Sequence, residues 1–337
     1  MTRESGTHWL NLSSVFTQRV MGVLIRRGPL IVFGLLLAGL AWRAPNLFSL
    51  TSIQSSLIQA SPIAIVAFGL AIVVIGGGDD VVVGGIDLSI PASAALATAI
   101  LSDQLTNQNA SFLQAFGLAL VAAIGVGLVN AVLVTVVGLA PILATLATYS
   151  SVVGIIKVLT TNRRINVEHA SILWVRDGSL LGIPIAVVIM VIAFAIFAFL
   201  THRTVFGSRL QTAGGNIDAA MNAGIRPKPL VASSFLLAGA AAAIAAVVLV
   251  ARGSGMSPGI EERLLVDMVL ATFVGAAFSA RNVVTIPGAM IGAVLVAFMS
   301  NGLILNRVDN SWVDGWKGAL ILIVVTAAAL QTRRVKQ

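Results

Sequence analysis

The sequence predicts an all-α fold: a polytopic membrane helix bundle of about ten transmembrane helices with both termini cytoplasmic. Three observations carry this. Hydrophobic residues make up 58% of the 337 positions and charged residues 10%, with a mean hydropathy of +0.99. A soluble domain carries about a quarter charged residues, and this apolar content exceeds what soluble cores hide. Apolar runs near the roughly 20-residue length that crosses a bilayer recur along the whole chain. The segments between them are short, so no extramembrane domain is left over.

Taken in order, the runs are 28–44, 54–76, 88–102, 112–137, 139–160, 182–201, 229–251, 264–280, 283–305 and 314–331. The third and eighth are short or polar-edged. Lys and Arg set the orientation, because basic residues favour the cytoplasmic side. With both ends inside, Arg3, Arg19, Arg26 and Arg27 precede the first span, and Arg203, Arg209, Arg226 and Lys228 occupy the central loop. Arg281 lies in an inner turn, and Arg333, Arg334 and Lys336 lie in the tail. That places twelve of the 21 basic residues inside. The loop holding Arg163, Arg164 and Arg176 runs against the bias. Trp174, Trp312 and Trp316 fall near outer ends, as an aromatic belt places them, and Lys157 sits where it can snorkel. The implied division is an N-terminal cytoplasmic segment 1–27, one transmembrane domain 28–331 with a cytoplasmic loop at 202–228, and a tail 332–337. No small-residue cleavage site follows the first apolar run, so the N-terminus does not read as a cleavable signal peptide.

Several chemistries are excluded. The chain has no cysteine, hence no disulfide, thiolate metal site or Cys nucleophile. A net charge of +8 suggests nucleic acid in a soluble protein, but here the basic residues separate apolar runs and report topology instead. No G-x-x-x-x-G-K-[ST] nucleotide loop occurs. Energy for any vectorial work therefore comes from another chain or from an ion gradient. His8, His169 and His202 lie outside the spans and form no catalytic cluster; no catalytic or metal-ligating set is expected.

Two segments and one scattered set of residues stand out. Gly76–Pro91 reads GGGDDVVVGGIDLSIP. Its glycines let backbones approach closely, and an acid at membrane depth is costly and usually functional. Asp87 or Ser89 also suits a helix cap, with Pro91 in the first turn; Asp79 and Asp80 read as water-facing. The central loop is basic, and Asn216–Ala223 within it reads as a short helix capped by Asn216. Gly224 stops that helix, and Pro227 and Pro229 prevent its continuation. Neutral polar residues scattered within spans, Gln54, Gln59, Asn130, Thr145, Thr148, Tyr149, Ser150, Ser151 and Asn301, suit either helix–helix bonding or a path for an uncharged, hydroxyl-rich solute. Gly85, Asp87, Ser89, Asn130, Thr145 and Asn301 are the candidates for that path or its gate. GLVNAVLV around Asn130 and FMSNGLIL around Asn301 echo each other, each after a Gly-rich stretch. Short chance matches and a two-fold internal repeat of the kind seen in transporters both remain open. Crowded Gly and Ala at 117–127 and 238–246 predict close helix packing.

These residues resemble a known family. The GGIDLSIP run is similar to the hallmark of permease subunits of ribose-type (carbohydrate-uptake class 2) ABC importers. AGGNIDAAMNAGI resembles that family's coupling segment. GLVNAVLV, APILATLATY and IPGAMIGAVLVAFMSNGLIL match in order, so the resemblance covers residues 45–331. The chain departs from the family pattern in its expanded GGGDDVVVGG, in Ser151–Gly154 where an Arg-Gly pair often stands, and in VGAAFSARN. The resemblance implies a multi-pass protein of the bacterial inner membrane that moves a small hydroxylated solute inward. It implies a cytoplasmic ATPase that holds ATP and Mg, a solute-binding protein outside, a second permease subunit identical or sibling, and no nucleic acid. The permease itself would bind no cofactor. Carried over residue by residue, it makes Ala213, Gly214, Gly215, Asn216, Ala219, Ala220, Ala223 and Gly224 the ATPase-coupling set.

The rival class is an ion-coupled secondary transporter of a small polar solute, which needs an ionisable residue deep in a span. Asp87 and Asp267 are the candidates, and both fall near expected span ends. A membrane-embedded enzyme would need a catalytic cluster that the spans lack.

Overall fold

The computed structural model describes residues 31–77, 85–279 and 283–335. The segment 1–27, Asp79 and Asp80, most of the Gly-rich expansion, Arg281 and Lys336 lie outside the described residues. The chain forms α1 (Ile31–Arg43), a 3-10 turn at Pro45–Phe48, α2 (Leu50–Gly77), α3 (Ile90–Thr106), and α4 (Phe112–Val132), which runs on as a π turn over Leu133–Val137. Then come α5 (Pro141–Thr160), β1 (Ile165–Asn166), α6 (Ala170–Asp177), β2 (Ser179–Leu180), β3 (Ile183–Pro184) and α7 (Ile185–His202). The second half holds α8 (Val205–Gly215), α9 (Ile217–Asn222), α10 (Pro227–Gly253), β4 (Gly255–Met256), α11 (Ile260–Ala276), α12 (Ile286–Leu305) and α13 (Asn310–Val335). The result is a polytopic membrane helix bundle.

Every apolar run read from the sequence coincides with one of these helices. Six of them are long and apolar enough to cross a membrane: α2, α4 with its π turn, α5, α7, α10 and α12. Burial sorts these six into layers. The apolar windows of α2 and α10 are 83% and 78% buried, against 28% for each of α4 and α5. A helix apolar all round is a central one, and α2 is buried without a break from Ala60 to Val74. Packing here does not rest on a hydrophobic force, since lipid is as apolar as Leu; it rests on close approach. At the α4–α10 crossing, Gly127 lies against the Phe235 carbonyl and Gly239 against the Ala123 carbonyl. Any Cβ at either position would meet backbone, so the crowding of small residues becomes a tight crossing.

Some boundaries differ from the sequence reading. The eighth apolar run corresponds to α11, Ile260–Ala276, which lies four residues earlier than expected. Asp267 is therefore a mid-helix residue, not one near a span end. Pro227 does not merely end a loop; it is the first residue of α10, where its missing N–H costs nothing. Two helices, α6 and α8, were not expected, because both are short and weakly apolar.

At the end of the bundle where α10 terminates, β1 pairs antiparallel with β4, Ile165 opposite Met256. Arg164 donates to Asn166 Oδ1 (2.7 Å), to Ser257 Oγ (3.0 Å) and to the Gly253 carbonyl. Arg176 donates to Ser254 Oγ (3.2 Å) and pairs with Asp177 at 2.8 Å, which holds the Asp177 carboxyl below its ordinary range. These arginines tie two loops together. That local role gives Arg164 and Arg176 a structural reason to stand in these loops.

Candidate functional site

Three features could serve transport. The first is a polar node at the N-terminal end of α3. That helix has 17 residues, or about 25 Å at 1.5 Å per residue, short of a hydrocarbon core of about 30 Å. Residues 85–89 before it are irregular and mostly buried, and buried backbone groups need internal partners. Asp87 Oδ1 accepts from the Ser89 backbone N–H (2.8 Å) and from Ser89 Oγ (2.7 Å). Asn130 of α4 donates its amide to Ser89 Oγ at 2.7 Å. The Thr145 hydroxyl of α5 accepts from the Leu88 N–H (3.2 Å) and donates to the Ile86 carbonyl (3.3 Å). All four side chains are buried. Gly85 completes the node: a Cβ there would meet the Val73 carbonyl at 2.5 Å and Gly77 Cα at 2.9 Å, so only glycine lets the turn lie this close to α2.

Five of the six path or gate candidates thus meet in one place. Asn301 stands apart. On α12, it donates to Ser52 Oγ (2.8 Å), Ser56 Oγ (2.9 Å) and the Ser52 carbonyl (3.2 Å) of α2. Ser89, read as a helix cap, makes no side-chain bond to the first turn of α3; its hydroxyl goes to Asp87 instead.

The second feature is the corner formed by α8 and α9 between α7 and α10. Thr204 caps α8, its hydroxyl accepting from Gly207 N–H at 3.2 Å, and Asn216 Oδ1 caps α9 through Ala219 N–H at 2.9 Å. Gly224 takes φ +77° and ends the turn as expected. Ala213 and Ala220 are buried, whereas Gly215, Asn216, Ala219, Ala223 and Gly224 are exposed. Ile217 and Met221, one helical turn apart, are both more than half exposed, at 55% and 52%. Leu210 is fully buried and lies where a side chain at Gly76 of α2 would project.

The third is a cavity of about 760 Å3 at the opposite end of the bundle, bounded by α2, α10, α11, α12 and α13. Lys317 of α13 pairs with Asp267 of α11 at 2.8 Å inside it. The node residues and Asn301 do not line it. The Asp267–Lys317 pair escaped the sequence reading, although Lys317, isolated in an apolar run three residues after Asp314, was the available signal.

Residues 52–325 match the family model described as a branched-chain amino acid transport system permease component. The chain is 30% identical over 315 residues to the ribose import permease protein RbsC of Bacillus subtilis (strain 168), covering 90% of this chain and 92% of that one. It is 28% identical to the galactofuranose transporter permease protein YtfT of Escherichia coli (strain K12), covering 79% and 76%. It is 26% identical to the L-arabinose ABC transporter permease protein AraH of Azospirillum brasilense, covering 91% and 88%. No solved structure matches the chain. A multi-pass apolar bundle, a capped corner helix and near full-length similarity to these permeases converge: the chain belongs to the permease family of ribose-type ABC importers and is a transmembrane permease subunit of the bacterial inner membrane.

Proposed function

We propose that this chain carries a neutral, hydroxyl-rich solute, a monosaccharide or sugar alcohol, inward, and that ATP-driven closure of a partner ATPase is transmitted through the α8–α9 corner. The ribose, galactofuranose and arabinose names of the relatives favour a sugar over the amino acid in the family model's description. Ten spans with both termini cytoplasmic put the corner inside and the cavity outside. An ATPase holding ATP and Mg docks on Ala213, Gly214, Gly215, Asn216, Ala219, Ala220, Ala223 and Gly224. A solute-binding protein docks on the outer side and a second permease subunit completes the pathway. The exposed hydroxyls of Ser150 and Ser151 with Gly154 on α5 support that pairing, because small polar residues suit a helix interface better than lipid. An inverted repeat finds support in Asn130 and Asn301. Each bonds serine on a neighbouring element, near opposite ends of the bundle.

The observation that carries the coupling is the exposed, capped α9, which is chained by packing to the polar node. Leu210 packs on α2 at Gly76, and Gly85 lies on Gly77 and Val73 of the same helix. Ser89, bonded to Asp87, then accepts from Asn130 of α4. Moving the corner therefore displaces a discrete set of bonded elements. The ion-coupled alternative is favoured by one finding, the mid-helix position of Asp267, but that carboxylate already has Lys317 as its counter-ion.

Gly215 tests the reading cleanly, because a Cβ there meets nothing within 4 Å. Gly215→Glu or Ala219→Glu should abolish uptake and co-purification of the ATPase while the protein stays in the membrane at normal amount. Normal uptake by cells depleted of ATP but holding an ion gradient would falsify the importer reading.

A further inference from the structure

The cavity bounded by α2, α10, α11, α12 and α13 has features of a binding site that the polar node lacks. Its volume of about 760 Å3 lies within the roughly 300–1,000 Å3 of small-molecule pockets. Gln59, Asp267, Ser300 and Lys317, each from a different helix, lie between five and nine residues from the ends of those helices on the α10 C-terminal side. At 1.5 Å per residue this is one level, roughly 10 Å below the helix ends.

Two observations speak for a ligand. Ser300 is 1% exposed and its Oγ has no hydrogen-bond partner among the described residues. A buried polar group without a partner costs about 1–3 kcal/mol, and a solute hydroxyl would satisfy it. The charges on the wall also balance: Arg252, Arg263 and Lys317 face Glu262, Asp267 and Asp314. Such a lining offers donors and acceptors together and no net charge, which suits a neutral solute with many hydroxyls over a carboxylate or an amine.

We propose that this cavity is a solute site of the permease itself, in which Ser300, Asp267, Lys317 and Gln59 hold an uncharged polyol on its way from the outer face. This deepens the transport reading above and rests on it for the side that faces outward. The site gives the permease its own filter for charge, separate from any receptor.

The cysteine-free sequence makes the test direct. In the full-length chain in membranes, Ser300→Cys introduces a single thiol. A membrane-impermeant methanethiosulfonate added from the outside should label it. D-ribose, L-arabinose or D-galactose at 50 mM should slow labelling at least tenfold, whereas gluconate and glucosamine should slow it less than twofold. Gln59→Cys, on the half-buried wall, is the parallel probe should Ser300→Cys not reach the membrane. Adding Gln59→Leu to Ser300→Cys should keep labelling and lose the protection. Labelling that none of the neutral sugars slows, equal protection by the charged analogues, or a thiol unreactive from outside overturns the site. ATP-dependent uptake by the same cells is scored separately, so a permease that transports without protection loses this proposal and keeps the transport reading.

Discussion

Asn130 shows how one side chain positions a segment. It lies on a helix whose apolar window is only 28% buried, yet it is itself fully buried and donates to Ser89 at 2.7 Å. Ser89 passes that bond to Asp87, which caps the irregular turn entering α3. Asn130→Ala leaves this buried chain of bonds open, at a cost of about 1–3 kcal/mol. The expected result is a lowered thermal midpoint of the purified chain in detergent. Ser150→Ala, which removes an exposed hydroxyl bonded to its own helix, should leave the midpoint unchanged. Equal midpoints for the two variants would show that the node's bonds add no stability. The sequence reading named all the members of this node but not their meeting. Asp87 and Ser89 are near neighbours, whereas Asn130 and Thr145 are 41 and more than 50 residues away from them. Asn301, grouped with them as an in-span amide, bonds serines of α2 instead.

Among the elements, the helices were the most legible part. Length and apolarity alone mark them, because a bilayer imposes both. The corner helix α9 was legible for another reason, since its cap Asn216 and its stop Gly224 are local signals. The short helices α6 and α8 carry neither signal strongly. What joins α11 to α13 was not legible, because it is a long-range ion pair. Lys317 and Asp267 lie 2.8 Å apart with side chains 7% and 11% exposed. Breaking a buried pair from one side leaves an uncompensated charge and costs about 3–5 kcal/mol. Lys317→Gln alone should therefore lower the thermal midpoint sharply, and adding Asp267→Asn should restore most of the loss. A double variant as unstable as the single one would mean that the pair's charge is not what Lys317 supplies.

For the whole molecule, the layers matter most. α2 and α10 are enclosed, while α4, α5 and α7 present outward faces. The outward face of α7 is apolar, with Val191, Ile192, Ile196 and Phe199 exposed, as lipid requires. That of α5 includes Ser150, Ser151 and Gly154, which lipid does not favour. The proposed second permease subunit, docked on α5, would account for the difference. Ser150→Trp should reduce the native mass of the purified assembly by one permease subunit, and Val191→Trp on α7 should not. Retention of the pair in Ser150→Trp would move the interface to another face.

The membrane class, the helices and the capped corner were determined by the sequence alone. Each depends on a local property: apolar length, a cap residue or a glycine at a helix stop. Only the tertiary structure decided that Gly85, Asp87, Ser89, Asn130 and Thr145 form one node and that Asp267 is a paired mid-helix charge. It also decided that a charge-balanced cavity opens opposite the corner. These depend on which helix faces which at a given depth. Apolar runs of similar length do not encode that pairing locally; close contacts such as Gly127 on Phe235 set it, at a distance along the chain.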